Sequence, residues 1–415
     1  MELKRVVVTG LGAITPIGND VESTWDNAVK GVSGAGPITH FDASLFKTQF
    51  ACEVKNFNVA EHFDRKEVRK YDLYAQYALV AARQAVADAG LDAEGVDHDR
   101  VGVIFAAGIG GLHTFEEEAG YYAMHKEQGP KYNPFFIPKM IADIAAGHIS
   151  MQYGFRGPNF GTVSACASST NALIDAFNYV RLGMADAIVS GGAEAAIYPA
   201  GVGGFNAMHA LSTRNDSPAT ASRPFSGSRD GFIMGEGGGT IVLESEESAK
   251  ARGAKIYCEL AGASMCGEAY NLTAPKTDGT GMAESMRLAL SNAGIKPEAV
   301  DYINAHGTST GLNDLYETKA VKEVFGENAY NIPISSIKAS IGHTLGAGAA
   351  LEAIACIKAI ETGIVPPTLH YDEPDPELDL NYVPNKAIEH KVDVAISNSF
   401  GFGGHNSTLV FKRYE

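Results

Sequence analysis

The chain has 415 residues and a formal net charge of −16, which leaves room for two domains or one large duplicated unit and disfavours nucleic acid and anionic membrane surfaces as partners. No apolar run approaches the ~18–20 residues of a membrane span. Five cysteines without CxxC pairs argue against a disulfide framework and a structural zinc site. We therefore expect a cytoplasmic protein.

The first predicted strand, residues 6–9, runs into a glycine-containing turn. Gly10 and Gly12 resemble the start of a dinucleotide-binding motif. However, Thr15 stands at the third glycine position, and Pro16 follows where a phosphate-binding helix would already be one turn long. We therefore reject a dinucleotide site.

The next stretch alternates between helix and strand. An alanine-rich pattern predicts a helix over 71–90 that ends at a glycine, followed by a strand at 101–105. Residues 106–111 form a glycine-rich turn. Residues 112–160 contain four prolines, and we expect an irregular insertion there that covers a neighbouring part of the molecule.

The stretch around Cys166 is predicted to be a strand, a tight turn of small residues and a helix that is buried on nearly all sides. A thiol at the start of a helix faces unpaired backbone N–H groups and the positive end of the helix dipole. Both favour the thiolate, the nucleophilic form. The alternative interpretation is a buried, inert cysteine.

A repeat indicates how the chain is organised. Residues 88–97 and 292–301 are identical at five of ten positions, and each copy follows an alanine-rich helix and precedes a strand. More loosely, the Cys166 turn and helix correspond to residues 334–338, a glycine-rich turn and a helix over 349–360. These correspondences predict two α/β halves, layered sheets with helices between and outside them, and a site where the halves meet.

Three turns of the second half carry reactive residue types. His306 follows a strand, Lys338 and His343 open the second buried helix, and His405 lies just after the strand at 394–398. One cysteine with two histidines suggests acyl-thioester chemistry, in which a thiolate attacks a carbonyl and imidazoles donate hydrogen bonds to an enolate or oxyanion. The alternatives are histidines that only satisfy core hydrogen bonds and a metal site, although no ligand spacing supports a metal.

Glu352 is the single charged residue of the apolar run 349–357. A buried carboxylate needs a partner. Lys338, at the start of the same helical region, is the predicted one.

Lys66, Arg69 and Lys70 stand at i, i+3 and i+4. On a helix this spacing gives one basic face. The alternative is an ordinary solvated surface.

Phe402 lies between Gly401 and Gly403. Glycines on both sides give the backbone freedom that suits a moving gate, with Phe400 as a fixed support. The alternative is that both rings belong to the core.

Four separated motifs resemble those of the β-ketoacyl-[acyl carrier protein] synthases of the thiolase-like superfamily: Ala165–Ala167, His306–Thr310, Lys338–His343 and Asn398–Gly404. Three further stretches strengthen the resemblance, namely Gly201–Phe205, Ala210–Asn215 and Arg229–Phe232. The resemblance covers essentially the whole chain. Within the family, the chain is most similar to the elongating condensing enzymes of type II fatty acid synthesis.

The resemblance implies an α/β fold of the duplicated, five-layered αβαβα type, with residues 1–255 carrying the nucleophile and residues 256–415 carrying the two histidines. It implies a homodimer, no bound cofactor or metal, and acyl carrier protein as the partner that presents substrates on phosphopantetheine. The implied reaction has two stages. Cys166 first accepts an acyl chain; malonyl carrier protein then loses CO₂, and its enolate attacks the acyl-cysteine to give a 3-oxoacyl product.

The residue roles that the resemblance implies fall into four groups. They are catalysis by Cys166, His306, His343 and Lys338 with Glu352 in support; an oxyanion hole from the backbone N–H groups of Cys166 and Phe402; substrate and phosphopantetheine contacts and gating by Thr308, Thr310, Phe402, Phe400, Phe205 and Ile109; and carrier-protein docking by Lys66, Arg69 and Lys70.

Two positions depart from the family pattern. His405 precedes Asn406 where many of these enzymes have Gly-Gly-Thr-Asn, so the position after the gate is bulkier and titratable. His209 stands where some relatives carry an arginine at the carrier-protein surface, which affects the expected docking strength.

The residues count against two alternative functions and leave a third one open. A thiolase acting on coenzyme A thioesters would have a late reactive cysteine, and no cysteine follows Cys356. A non-catalytic partner subunit of the chain-length-factor kind would lack Cys166. An iterative polyketide or specialised-lipid ketosynthase would use the same residues as an elongating enzyme.

Overall fold

The computed structural model describes residues 3–415. The strands of this part of the chain are β1 (Val6–Ile14), β2 (Gly36–Pro37), β3 (Phe50–Ala51), β4 (Val101–Ala106), β5 (Asn159–Thr162), β6 (Ala187–Glu194), β7 (Gly237–Ser245), β8 (Cys258–Gly267), β9 (Tyr302–Asn304), β10 (Ile334–Ser335), β11 (Ile364–Val365), β12 (Ile388–Glu389), β13 (Val394–Gly401) and β14 (His405–Lys412).

The helices of the same part are α1 (Val21–Lys30), α2 (Val59–His62), α3 (Arg65–Val68), α4 (Leu73–Ala89), α5 (Leu112–Met124), α6 (Phe136–Met140), α7 (Ile144–Tyr153), α8 (Ser168–Arg181), α9 (Pro199–Ala207), α10 (Glu246–Ala251), α11 (Thr280–Ala293), α12 (Gly311–Phe325), α13 (Lys338–Ile341) and α14 (Gly348–Thr362). No helix within residues 3–415 is long and apolar enough to cross a membrane.

Ten of the strands form one mixed sheet in the order β10-β9-β13-β14-β8-β1-β7-β6-β4-β5. At its centre, β1 and β8 pair antiparallel through Val7 opposite Glu259 and Val8 opposite Cys258. On each side of this contact the same arrangement recurs: three parallel strands (β5, β4, β6 and β10, β9, β13) followed by two antiparallel ones. The predicted duplication is therefore confirmed.

The helices complete a layered arrangement. Helices α8 and α14 both contact strands of both halves of the sheet, whereas α4 packs on β1, β6 and β7, and α11 packs on β8 and β14. The two halves of the sheet enclose the middle helices and carry the outer helices, which gives five layers, as predicted. Because α14 is buried from Gly348 to Ile360, it has no polar face, which is typical of a helix enclosed on all sides.

Local signals in the repeat explain its structure. Helices α4 and α11 both end at a glycine in the left-handed region, Gly90 at φ 64° and Gly294 at φ 66°. A short 3₁₀ turn and then a strand follow each glycine. The division of the chain at residue 255 stays a prediction.

The glycines of the first strand serve close packing. A Cβ at Gly10 would lie 2.2 Å from the carbonyl oxygen of Ala85, and one at Gly12 would lie 1.9 Å from that of Ala81. The glycines therefore allow α4 to lie directly on β1. This packing gives the GxG pattern a structural explanation that needs no nucleotide.

The prediction of irregular structure for residues 112–160 is wrong. This stretch contains α5, α6 and α7 and the start of β5. Helix α7 packs on β4, and β5 pairs with β4. The part of the stretch that contains α7 and β5 therefore belongs to the layered fold. Prolines at 130, 134 and 138 lie between α5 and α7 or within the short α6, where they limit helix length rather than prevent helices.

Candidate active site

The predicted turns meet at a cavity of about 390 Å³. Its lining includes Cys166 from the N-terminal half and His306, His343 and Phe402 from the C-terminal half. His306 follows β9, and Phe402 follows β13, so both lie at the carboxyl ends of parallel strands. The topology therefore explains why residues far apart in sequence face one another.

Cys166 lies in a 3₁₀ turn between β5 and α8. The preceding Ala165 has φ 51°, a left-handed conformation that non-glycine residues rarely adopt. The hydroxyl of Ser168 donates to the carbonyl of Ala165 at 2.6 Å and accepts from the N–H of Ser164 at 2.9 Å. The turn is thus strained and is stabilised by hydrogen bonds between its own residues. This is typical of a nucleophile at a sharp bend between a strand and a helix.

The environment of the Cys166 thiol differs from the sequence-based expectation. The backbone N–H groups of Phe402 and Cys166 are directed at the sulfur, and Lys338 is near. Even so, burial raises the pKa of the thiol to about 11 because it outweighs these three contributions. The backbone N–H groups therefore favour the thiolate, as argued from the sequence, but burial opposes them and is the larger effect.

His343 contacts the nucleophile directly. Its Nε2 lies 3.1 Å from Sγ of Cys166, and the N–H of Leu345 donates to its Nδ1 at 3.3 Å. Since Nδ1 accepts, we assign the ring proton of the neutral imidazole to Nε2. Burial, and secondarily Lys338, holds the pKa of His343 well below its usual value. His343 therefore presents a neutral N–H donor to the cavity.

The ring of His306, like that of His343, accepts a hydrogen bond at Nδ1 and carries its proton on Nε2. Its Nδ1 lies 3.4 Å from Nζ of Lys338, and an ammonium group can only donate. Burial, Lys338 and His343 hold the pKa of His306 well below its usual value. The two rings meet edge to face, with centroids 5.4 Å apart, so both imidazoles present Nε2–H groups in the same cavity.

Lys338 and Glu352 form a buried ion pair, with side chains 2% and 1% exposed. This pairing is the predicted one. Such a pair costs desolvation energy, and Lys338 reaches both the carboxylate and His306. The pair therefore fixes a positive charge beside both imidazoles.

Two carboxylates of the site were missed by the sequence analysis. Glu317 accepts the N–H groups of His306 and Gly307, each at 2.8 Å, and Asp314 accepts the N–H of Thr308 at 3.0 Å. Both are fully buried in α12. Their i, i+3 spacing directly after the His306 turn is a signal that could have found them.

The loop around Phe402 only partly matches the predicted hinge. Gly403 and Gly404 are left-handed, at φ 87° and 74°, but Gly401 is the last residue of β13. A Cβ at Gly401 would lie 3.0 Å from the carbonyl oxygen of Ser164, so this glycine allows the loop to approach the nucleophile turn. Phe402 is half-buried, and flexible glycines lie only on its C-terminal side.

Other predicted substrate residues divide into two groups. Thr308, Thr310, Phe205 and Phe400 line the cavity, and the two threonine hydroxyls share a hydrogen bond of 2.9 Å. Ile109 does not line it and is 40% exposed. The structure therefore does not bring Ile109 to the cavity within a single chain.

The basic residues are exposed but do not form the predicted helical face. Helix α3 covers only 65–68, so Lys66 lies in it, Arg69 is its C-cap and Lys70 lies beyond it. The capping box of Asp64 and Glu67 starts this helix, but the chain turns before a second turn of helix forms. The three cations share a surface segment instead.

The two positions that depart from the family pattern both lie close to the cavity. His209 is exposed and belongs to the cavity lining. The ring of His405 lies over Gly403, where a Cβ would come within 2.9 Å of its Nε2. His405 thus packs on the loop that carries Phe402.

Sγ of Cys166 and one ring nitrogen of each histidine lie within 4.8 Å of one another, a spacing that a metal ion could bridge. However, both Nδ1 atoms accept hydrogen bonds, which places protons on the Nε2 atoms. The buried ammonium of Lys338 also repels a cation. The absence of a metal stays a prediction.

Comparison with protein families gives two matches. Residues 3–249 match the model "Beta-ketoacyl synthase, N-terminal domain", and residues 257–372 match "Beta-ketoacyl synthase, C-terminal domain". The chain is 50% identical over 416 residues to the 3-oxoacyl-[acyl-carrier-protein] synthase 2 of Staphylococcus aureus (strain N315), covering 99% of both chains. It is also 50% identical to the Synechocystis sp. protein of the same name, covering 100% of this chain and 99% of that protein.

Comparison with solved structures confirms the predicted thiolase-like fold. The chain matches a type II PKS acyl-carrier protein in complex with its ketosynthase bound to the hexaketide, with a TM-score of 0.93, 36% identity and 100% coverage of both chains. Sequence and structure therefore agree that this chain belongs to the beta-ketoacyl synthase family.

Proposed function

We propose that this chain elongates acyl-[acyl carrier protein] by decarboxylative Claisen condensation with malonyl-[acyl carrier protein], giving 3-oxoacyl-[acyl carrier protein] in fatty acid biosynthesis. The observation that carries the proposal is the meeting of one thiol and two neutral Nε2–H donors in one cavity, with Nε2 of His343 3.1 Å from Sγ of Cys166. The 50% identity to proteins named 3-oxoacyl-[acyl-carrier-protein] synthase 2 supports it.

In the first stage, Sγ of Cys166 attacks the thioester carbonyl that the carrier protein presents on phosphopantetheine. A C–S bond to Cys166 forms and the C–S bond to phosphopantetheine breaks. The N–H groups of Cys166 and Phe402 are directed at the sulfur, so they lie next to the carbonyl that it attacks and stabilise the negative charge that develops on the carbonyl oxygen. The proton of the Cys166 thiol ends on the released phosphopantetheine thiol, so this stage is proton-neutral.

In the second stage, the thioester carbonyl of malonyl carrier protein accepts hydrogen bonds from His306 and His343. The bond to CO₂ breaks, and its electron pair forms the enolate that these donors stabilise. The enolate carbon attacks the acyl-cysteine, a C–C bond forms and Cys166 leaves as a thiolate. The thiolate then takes one proton from solvent for each CO₂ released.

The lining of the cavity supports substrates that are carried on a flexible arm. Thr308 and Thr310 lie in the cavity lining with neutral hydroxyls, which suits the amide groups of phosphopantetheine. We therefore assign acyl carrier protein as the partner. The cytoplasmic location expected from the sequence stays a prediction.

An elongation assay with acyl carrier proteins of graded chain length and malonyl carrier protein tests the function. We expect a 3-oxoacyl product two carbons longer than the substrate and one CO₂ per product. A lack of such a product at every chain length would contradict the proposal.

An iterative polyketide ketosynthase is the second candidate, supported by the TM-score of 0.93 to the polyketide complex. The same assay separates the two candidates. Repeated extension without an intervening reduction step favours the second, and release after one round favours elongation.

Charge reversal of Lys66, Arg69 and Lys70 to Glu is expected to raise KM for the acidic carrier protein roughly 10-fold, because opposite charges steer and hold the partner. Turnover of a small acyl-pantetheine substrate should stay nearly intact. The wild-type KM should also rise with salt. The control is Lys386→Glu, at an exposed lysine of the C-terminal half. Equal losses with both substrates would contradict a docking role.

Phe402→Ala is expected to allow CO₂ release from malonyl carrier protein without prior acylation of Cys166, because the gate would no longer close the cavity. Since Phe402 is half-buried, the free energy of unfolding should change by less than about 1 kcal/mol. The matched control is Phe400→Ala: that ring is 8% exposed, and its loss should cost roughly 3–5 kcal/mol. A comparable loss in Phe402→Ala, without uncoupled CO₂ release, would show that the ring is part of the core.

A homodimer is proposed from the edge of the sheet. Strand β5 is an edge strand. Val163 follows it directly and is 62% exposed, and Met151 of α7, which packs on β5, is 69% exposed. Exposed apolar residues at an unpaired strand favour association. Analytical ultracentrifugation should give twice the chain mass, with Val163→Asp shifting it to monomer and Leu45→Asp leaving it unchanged. A monomeric wild type at micromolar concentration would refute the dimer.

A further inference from the structure

Two turns from different halves of the chain touch behind the cavity. Residues 107–110 follow β4, and residues 343–346 follow α13. A Cβ at Gly346 would lie 2.0 Å from the backbone nitrogen of Gly108, so the two backbones are in direct contact. Because the turns are in close contact, a movement of one turn displaces the other.

Glu194 joins these turns. It is the last residue of β6 and is fully buried. Its carboxylate accepts the N–H groups of Gly108 at 2.7 Å, Ile109 at 3.2 Å, Gly110 at 3.0 Å and Gly346 at 3.1 Å. The four donors from two turns use both carboxylate oxygens.

The contact with Gly346 leads to the catalytic imidazole. Leu345, the residue before it, is held at φ 47°, which is strained for a side chain with a Cβ. In this conformation its N–H reaches Nδ1 of His343 at 3.3 Å. That hydrogen bond assigns the proton to Nε2, the atom 3.1 Å from Sγ of Cys166.

We propose that Glu194 is a positioning residue: by holding Gly346, its carboxylate fixes the turn that sets the tautomer of His343. The proposal rests on the condensing function proposed above, since it assigns the donor that this chemistry needs. Glu194 touches neither substrate nor Cys166, and it acts through the backbone of the turn.

A carboxylate is suited to this role and an amide is not. The hydrogen-bond partners of the Glu194 carboxylate are all backbone N–H groups, so the site needs an acceptor without protons. In Glu194→Gln, an NH₂ group would face backbone N–H groups and release at least one of the two turns. Burial raises the pKa of Glu194 to about 7, opposed by its four backbone donors, so protonation near neutral pH has the same effect as the amide.

The titratable groups around Glu194 are distinguishable from it. Tyr74 of α4 has its pKa raised well above the usual value by burial and by Asp72, Glu194 and Asp143. His343 titrates well below its usual value. Burial also raises the pKa values of Glu317 and Glu352 to about 7, so a transition near pH 7 in the signals of His343 reports on Glu194 only where Glu194→Gln removes it.

The test is NMR of protein labelled with ¹⁵N-histidine, with His343 assigned from the spectrum of His343→Ala. Wild type should show a protonated Nε2 at pH 8, with a change centred near pH 7. Glu194→Gln should show a mixture of tautomers at pH 8 and no transition near pH 7. Its condensation rate should fall about 10- to 100-fold, as when outer partners of functional imidazoles are lost.

The matched control is Glu244→Gln. Glu244 is also fully buried, but it binds Thr9, Ser248 and Arg252 and contacts neither turn. It should lower the melting temperature and leave the His343 signals unchanged. Wild-type-like His343 signals in Glu194→Gln would overturn the proposal, whatever the activity. If that variant does not fold, a lack of any wild-type transition near pH 7 overturns it instead. Neither readout needs a substrate, so failure of the proposed function remains distinguishable.

Discussion

Cys166→Ala is expected to abolish condensation, with a loss of at least about 10⁴-fold in turnover, because no acyl-enzyme can form without the nucleophile. The side chain is small, and its neighbours Ala165 and Ala167 are already alanines, so the fold should tolerate the change. Mass spectrometry of the wild type after incubation with acyl carrier protein should place the acyl group on the peptide that contains Cys166.

Cys266→Ala is the matched control. Cys266 is half-buried, whereas Cys52, Cys258 and Cys356 are buried. Cys266 is therefore the cysteine that could compete with Cys166 for the acyl group. It lies in β8, contacts the carbonyl of Gly281 at 3.4 Å and does not line the cavity. Full activity is expected for this variant. Acyl label on Cys52 or Cys266 in the wild type would disprove the assignment of Cys166.

Lys338→Met is expected to cost roughly 3–5 kcal/mol in the free energy of unfolding, because it leaves the carboxylate of Glu352 buried without a counter-charge. A second effect concerns the imidazoles. Lys338 contributes to the low pKa values of His306 and His343, so its removal raises both. The acid limb of the pH–rate profile should therefore move to higher pH.

The double variant Lys338→Met/Glu352→Leu separates these effects. Replacing both charges with apolar groups removes the unpaired carboxylate, so most of the lost stability should return. The displaced acid limb should remain, because the positive charge is still absent. Thermal unfolding and pH–rate profiles of both variants provide the measurements. An unshifted acid limb in both would show that Lys338 does not act on the imidazoles.

Local signals explain what the sequence predicted well. Gly90 and Gly294 mark helix ends because few residues other than glycine adopt the left-handed region, and this mark made the repeat visible. The partnership of Lys338 and Glu352 was also predictable, because a single carboxylate in an apolar helix requires a counter-charge.

Features that depend on packing were missed. Backbone N–H groups lower the pKa of Cys166, as argued from the sequence, but that argument ignores desolvation, and burial is a property of the assembled layers. The role of Glu194 depends on backbone N–H groups that come from two distant turns. No residue pattern within one segment records which N–H groups a folded chain leaves unpaired. The length of α3 was misjudged because spacing alone does not show where a helix stops.

The central strand contact has a consequence for how the molecule unfolds. Strands β1 and β8 pair over only two residue pairs, so hydrogen bonding between them contributes little to joining the halves. The main connection is the shared middle layer, where α8 and α14 each contact strands from both sides. A half without its counterpart would expose one face of that layer to water, which is unfavourable for apolar helices. The two repeats should therefore act as a single cooperative unit in native-state hydrogen exchange, and the slowest amides of α8 and α14 should open together.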